Sequence, residues 1–146
     1  MAQRRCAVLV LEARCLAVRL APIFTCVLAT SAHACGESLA APRTIDGANY
    51  VVAFSTKPQP IVANQHFVID FEVCPRSASA IDSVRVDASM PEHRHGMNYR
   101  AAVTRVKAQT FRAEGLLFHM QGRWQLTFDI VNGDRVERLA TDIALE

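Results

Sequence analysis

No stretch of this 146-residue sequence repeats its apolar residues at helical spacing, and no internal repeat or low-complexity tract divides it into modules. A helical bundle, a solenoid and a second domain are excluded by that pattern, and the length suits one domain. A basic face is missing as well. Of sixteen Lys and Arg, Arg4, Arg5, Arg14 and Arg19 lie near the start, which leaves twelve against thirteen Asp and Glu from residue 35 onward. A near-neutral domain offers nucleic acid no electrostatic footprint. Neither a G-x-S-x-G elbow nor an HExxH motif occurs, and Asp87, Ser89 and His95, though near in sequence, do not make a triad by spacing. The chain is not expected to be an enzyme.

Long apolar runs are also absent. The run at positions 20–29 falls short of the roughly 20 residues that span a bilayer. It follows a basic start and precedes Ser31-Ala32-His33-Ala34, an A-x-A cleavage pattern, so residues 1–34 read as a signal peptide, with an amphipathic helix as the alternative. Export implies a periplasmic or secreted protein with no retained transmembrane helix. Cys6, Cys15 and Cys26 leave with the leader, and the remaining pair, Cys35 and Cys74, is expected to form a disulfide in an oxidising compartment. The alternative is a lipid anchor on Cys35. That signal wants a large aliphatic residue three positions earlier, where Ala32 stands.

What is present is alternation of period two. Residues 35–48, polar and Ala-rich with Pro42, form an irregular lead-in to a domain over 49–146. Tyr50, Val52 and Phe54 share one strand face; Phe67, Ile69, Phe71 and Val73 share another; Val84, Val86 and Ala88 a third. A strand is expected near 99–107 and another over 111–120, kinked at Gly115, a residue type that marks bulges. Trp124, Leu126, Phe128 and Ile130 alternate with polar residues, Asn132-Gly133 signals a two-residue hairpin, and a last strand covers about 135–144. About seven to eight short strands with turns between them predict an all-β, immunoglobulin-like antiparallel β-sandwich.

Sulfur and imidazole are unevenly placed. The stretches Met90-Pro91-Glu92-His93-Arg94-His95-Gly96-Met97 and Phe118-His119-Met120 hold every Met and His beyond residue 34 except His66. Thioether and imidazole together suit copper, since Met sulfur is soft and imidazole serves both copper oxidation states. In an extended loop His93, His95 and Met97 project to one side. His119 or Met120 can add a ligand from a neighbouring loop, but not both unless a bulge re-aims one. Met90 continues the apolar face of Val84, Val86 and Ala88, so core packing competes with ligation there, as it does for Met120 beside Leu116 and Phe118. His66, alone on an outward face, reads as a surface residue.

The blocks MPEHRHGMNY and GLLFHMQGRW resemble the YtkA-like and FixH-related periplasmic sandwich domains, in which a Met- and His-containing loop and strand precede F-x-M-x-G-x-W. Phe118, Met120, Gly122 and Trp124 match that pattern, and the resemblance covers about residues 50 to 143. It implies an immunoglobulin-like fold and a role around periplasmic copper handling or oxidase assembly. The chain departs in lacking the retained helix of FixH-type proteins, and its expected mature start, Cys35, is not the amino-terminal His of CopC-type sandwiches. The expected function is a copper carrier, buffer or metallochaperone meeting a copper-donor or copper-acceptor protein of the envelope. The alternative is a protein-interaction module that binds no metal, its Met and aromatic residues rimmed by Arg94, Tyr99 and Arg100.

Overall fold

In a computed structural model that describes residues 34–146, the alternation becomes nine antiparallel strands and no helix among the described residues. They are β1 (Arg43–Asp46), β2 (Tyr50–Lys57), β3 (His66–Pro75), β4 (Ser83–Met90), β5 (His95–Gly96), β6 (Ala102–Arg105), β7 (Thr110–Leu117), β8 (Gly122–Asn132) and β9 (Arg135–Leu145). One sheet runs β1-β2-β3-β7-β6 and the other β5-β4-β8-β9, which makes a β-sandwich. The expected signal peptide lies outside the described residues. No described helix is long and apolar enough to cross a membrane.

Period-two strands give each sheet one apolar face, and the two faces meet in the core. Val52 and Phe54 of β2, Phe67, Ile69, Phe71 and Val73 of β3, and Phe111 and Ala113 of β7 fill it from one side. Val86, Met90, Trp124, Leu126, Phe128 and Ile130 fill it from the other. Phe128 joins the layers, its ring 5.6 Å from Phe54 and 5.2 Å from Phe71. Each such aromatic removed from water contributes about 1.5–3 kcal/mol.

Gly115 does what its position suggests. Phe67 faces Leu116 while Ile69 faces Ala113, so β7 carries one extra residue, and Gly115 takes φ +80° at that bulge. The hairpin sits one residue later than its sequence signal. Asn132 pairs with Arg135, and the loop is Gly133-Asp134, with positive φ at Gly133 and not at Asn132. A lone positive φ at the first central residue is the II′ pattern, which Gly satisfies without Asn. Two further strands go beyond the sequence expectation. β1 lies inside the stretch read as an irregular lead-in, and the strand expected near 99–107 is confined to Ala102–Arg105 while the short β5 precedes it.

The Cys35–Cys74 disulfide is formed, with Cα atoms 5.9 Å apart, and ties the segment before β1 to the end of β3. Reduction, or Cys74→Ser, is expected to lower unfolding free energy by about 2–4 kcal/mol. Urea unfolding with and without reductant measures it, and an unchanged midpoint would contradict it.

Each outer face carries one shielded carboxylate. Arg138 donates to Asp129 at 2.6 and 2.8 Å with Arg85 at 3.7 Å, and Asp70 accepts from Arg112 at 2.7 Å and Lys57 at 2.8 Å. The Arg138 hydrogen bond holds the Asp129 carboxyl below its ordinary range against an opposing push from burial, and Arg112 does the same for Asp70. Depressed folded-state values mean that this stabilisation is present above the unfolded carboxyl pKa and is lost as pH falls through the folded one. Stability is therefore expected to decline below about pH 4. In Asp129→Asn/Asp70→Asn the decline should flatten, as read from urea midpoints between neutral and acid pH.

Candidate metal centre

The inward face of β4 runs Val84, Val86, Ala88, Met90, and pairing sets what lies beside it. Met90 is opposite His95 and Ser89 opposite Gly96. Directly opposed residues share a sheet face, so His95 follows Met90 toward the interior. Residues 91–94 between them are not extended as expected. His93 N–H donates to the Met90 carbonyl at 3.1 Å, and Arg94 takes φ 55°, so the chain turns there and alternation resumes only from His95. The turn still keeps the first two imidazoles together, with His93 and His95 ring centroids 5.9 Å apart. Arg123 on β8 holds the turn from outside, donating to Glu92 at 2.9 Å and to Asp142 at 3.1 Å.

The second block enters from the β7–β8 crossover. Phe118 is fully buried and stacks on Trp124 at 4.5 Å with planes 7° apart. The indole N–H donates to the Met120 carbonyl at 3.0 Å, and the Asn64 N–H donates to the Phe118 carbonyl at 2.8 Å. Held on both sides, the crossover places the His119 ring 5.1 Å from His95 and 5.3 Å edge-on to Trp124. His95 meets the same indole at 5.9 Å. A row of imidazoles, His93–His95–His119, thus crosses the end of the sandwich with Trp124 beneath two of them.

His119 Nδ1 is buried and has no hydrogen-bond partner, the one such side-chain atom among the described residues. A buried polar atom left unpaired costs about 1–3 kcal/mol, so it asks for a partner. Metal–nitrogen bonds of about 2 Å put two rings on a shared ion with centroids on the order of 5–6 Å apart. The spacing of His95 and His119 fits that. The three sets of ring nitrogens are not yet closed on a point. Among the described residues, the trio of ligand atoms mutually within 4.8 Å is Cys35, Glu72 and Cys74, whose sulfurs are bonded to each other. Gathering three imidazoles on one ion takes a side-chain rotation, and exposed His93 has the room for one.

The methionines divide. Met90 has no exposed surface and belongs to the core, the packing role its strand face suggested. Met97 is half-buried against the core, its N–H donating to the Ala88 carbonyl at 3.1 Å. Met120 keeps 36% of its surface exposed while neighbouring His119 turns toward Trp124, so only one of the two faces the row. His66 is exposed and meets Tyr99 at 5.3 Å. Trp124 as floor of the row escaped the sequence reading, where it counted only as core; the F-x-M-x-G-x-W spacing that puts Phe118 and Trp124 together was the available signal.

No family model and no curated protein matches this chain. Among solved structures it is similar to the crystal structure of a DUF4426 family protein from Pseudomonas aeruginosa PAO1, at 8% identity and a TM-score of 0.50. The match covers 71% of this chain and 94% of that one. At that identity the likeness shows a β-rich fold and carries no activity across.

Gly122, where β8 begins, has φ +119°, and a Cβ there would lie 2.8 Å from the Met90 methyl. Gly122→Ala is expected to cost about 1–3 kcal/mol, from backbone strain and displacement of Met90. Chemical denaturation reads the loss, and wild-type stability in the variant would contradict the packing described.

Proposed function

We propose that the chain binds a copper ion at the end of the sandwich through His93, His95 and His119, with Met97 as the thioether at its margin. The supporting observation is the buried, unpartnered Nδ1 of His119 on a ring 5.1 Å from His95. A soft thioether beside imidazoles suits copper in either oxidation state, with more imidazole favouring Cu(II) and more sulfur Cu(I). The role is that of a carrier, buffer or metallochaperone facing a copper-donor or copper-acceptor envelope protein. No catalytic step is assigned to it. A periplasmic or secreted setting goes with this reading, and the Cys35–Cys74 bond supports an oxidising compartment. Kinship with the YtkA-like and FixH-related domains, and the immunoglobulin-like type of sandwich, belong to the same proposal.

A second reading rests on Tyr99, against His66, and Met120, next in the chain to His119, which leave 51% and 36% of their surfaces exposed. Under it the end of the sandwich docks a protein and needs no metal. Copper titration in competition with a chromogenic chelator separates the two, with Cu(I) handled anaerobically. The native chain should take up about one equivalent, and His95→Ala/His119→Ala should weaken binding at least about tenfold. Failure of Cu(I), Cu(II) and zinc alike to bind ends the metal reading and leaves the docking one.

A further inference from the structure

We propose that the outer edge of β9 is an interface between two copies of this chain, related by a twofold axis at Ala140. β9 ends its sheet and pairs along its whole eleven-residue length with β8 only. Because the hairpin closes at Asn132–Arg135, the odd-numbered residues of β9 bond to β8, and the backbone groups of Val136, Arg138, Ala140, Asp142 and Ala144 point away from it. Among the described residues no backbone group pairs with these N–H donors, and the one contact to their carbonyls is the Arg43 guanidinium on Asp142 at 3.0 Å. That carbonyl has a second lone pair. An open cleft of 720 Å³ runs beside residues 135–140, between this edge and β1.

Free edges of this length are usually blunted by a proline, a lysine, a bulge or a short run. β9 lacks a proline, a lysine and a bulge, its register with β8 being unbroken, and relies on its charges, Arg135, Glu137, Arg138 and Asp142. Its outer face bears small or exposed apolar side chains, Val136 (53% exposed), Ala140 and Ala144, interrupted by one cation and one anion.

The placing of those charges selects the occupant. In an antiparallel pairing of β9 with itself about Ala140, Arg138 lies opposite Asp142 of the second copy, Asp142 opposite Arg138, and Val136 opposite Ala144. Cross-strand opposite charges stabilise such pairs, and a twofold contact must be complementary to itself in this way. Centring on Arg138 or Asp142 opposes like charges, and centring on Leu139 or Thr141 leaves both charges facing apolar residues. Only the Ala140 register among these matches each charge. Arg138 already holds Asp129 and Asp142 already holds Arg123, so the new pairs would join two existing ion-pair clusters across the axis.

Sedimentation equilibrium of the purified chain over a concentration series, alone and as two variants, tests this. The wild type should dimerise, while Asp142→Arg and Arg138→Asp should each raise the dissociation constant about tenfold or more, because each opposes like charges twice. An equimolar mixture of the two variants restores both opposite-charge pairs and should dimerise as the wild type does. Circular dichroism reports whether each variant is folded. Should Arg138→Asp unfold for want of an Asp129 partner, amide exchange of the wild type decides. Dimerisation should then slow Arg138, Ala140 and Asp142 as concentration rises. A wild type that is monomeric throughout, variants that dimerise alone as well as mixed, or exchange at these amides independent of concentration would overturn the proposal.

Discussion

The stacking of Phe118 on Trp124 is the contact on which the histidine-bearing end of this molecule depends. It joins the chain leaving one sheet to the first turns of the other, where no backbone ladder can do so. With the indole N–H closed on the Met120 carbonyl, residues 118–120 lose the freedom a crossover would otherwise have. The imidazole of His119 is positioned as a consequence, and so is the gap between it and His95. Replacing either aromatic by a smaller apolar residue would open a cavity and release the crossover together, so stability and site geometry are tied to one contact.

The sheets themselves were legible because half-buried strands announce themselves by period two, and the inward residues of β3, β4 and β8 are those the alternation picks out. Gly115 was legible as a bulge for the same local reason. β1 was not, since the four residues RTID hold exposed or half-buried side chains and pair with β2 without contributing an apolar stripe. The hairpin shifted by one residue because Gly133 alone suffices for the turn, and the preceding Asn then joins the ladder. These are differences of register, to which local composition is nearly blind.

The site was legible as a set of residue types and not as a geometry. Uneven use of Met and His marked the two blocks, yet nothing in either block says that Met90 will stand opposite His95 and carry it inward. The expected extended loop fails at Arg94, whose left-handed backbone no pattern of side chains foretold. Its effect is to swap one mechanism of juxtaposition for another. The turn brings His93 back over His95, where simple alternation would have spaced them along a strand. Met90 illustrates the opposite case, in which the apolar face continues for one more residue and the side chain is fully buried, as alternation alone expects.

The outer face of the β4–β8–β9 sheet connects the two regions for which a binding role is proposed. Arg123 stands between Glu92, beside the imidazole row, and Asp142, on the free edge of β9. Exposed ion pairs of this kind contribute little to stability, about 0–1 kcal/mol, so neither region needs the other to fold. Their effect is on orientation. Arg123 holds Glu92 at 2.9 Å whether or not Asp142 also meets a second chain, so the turn stays anchored in either case. The row of imidazoles is also held from within by Trp124, a core residue well inside the reach of packing forces and beyond that of surface charge. A change at the β9 edge should therefore leave the geometry of the histidines in place, which makes the end of the sandwich and its side two independent surfaces.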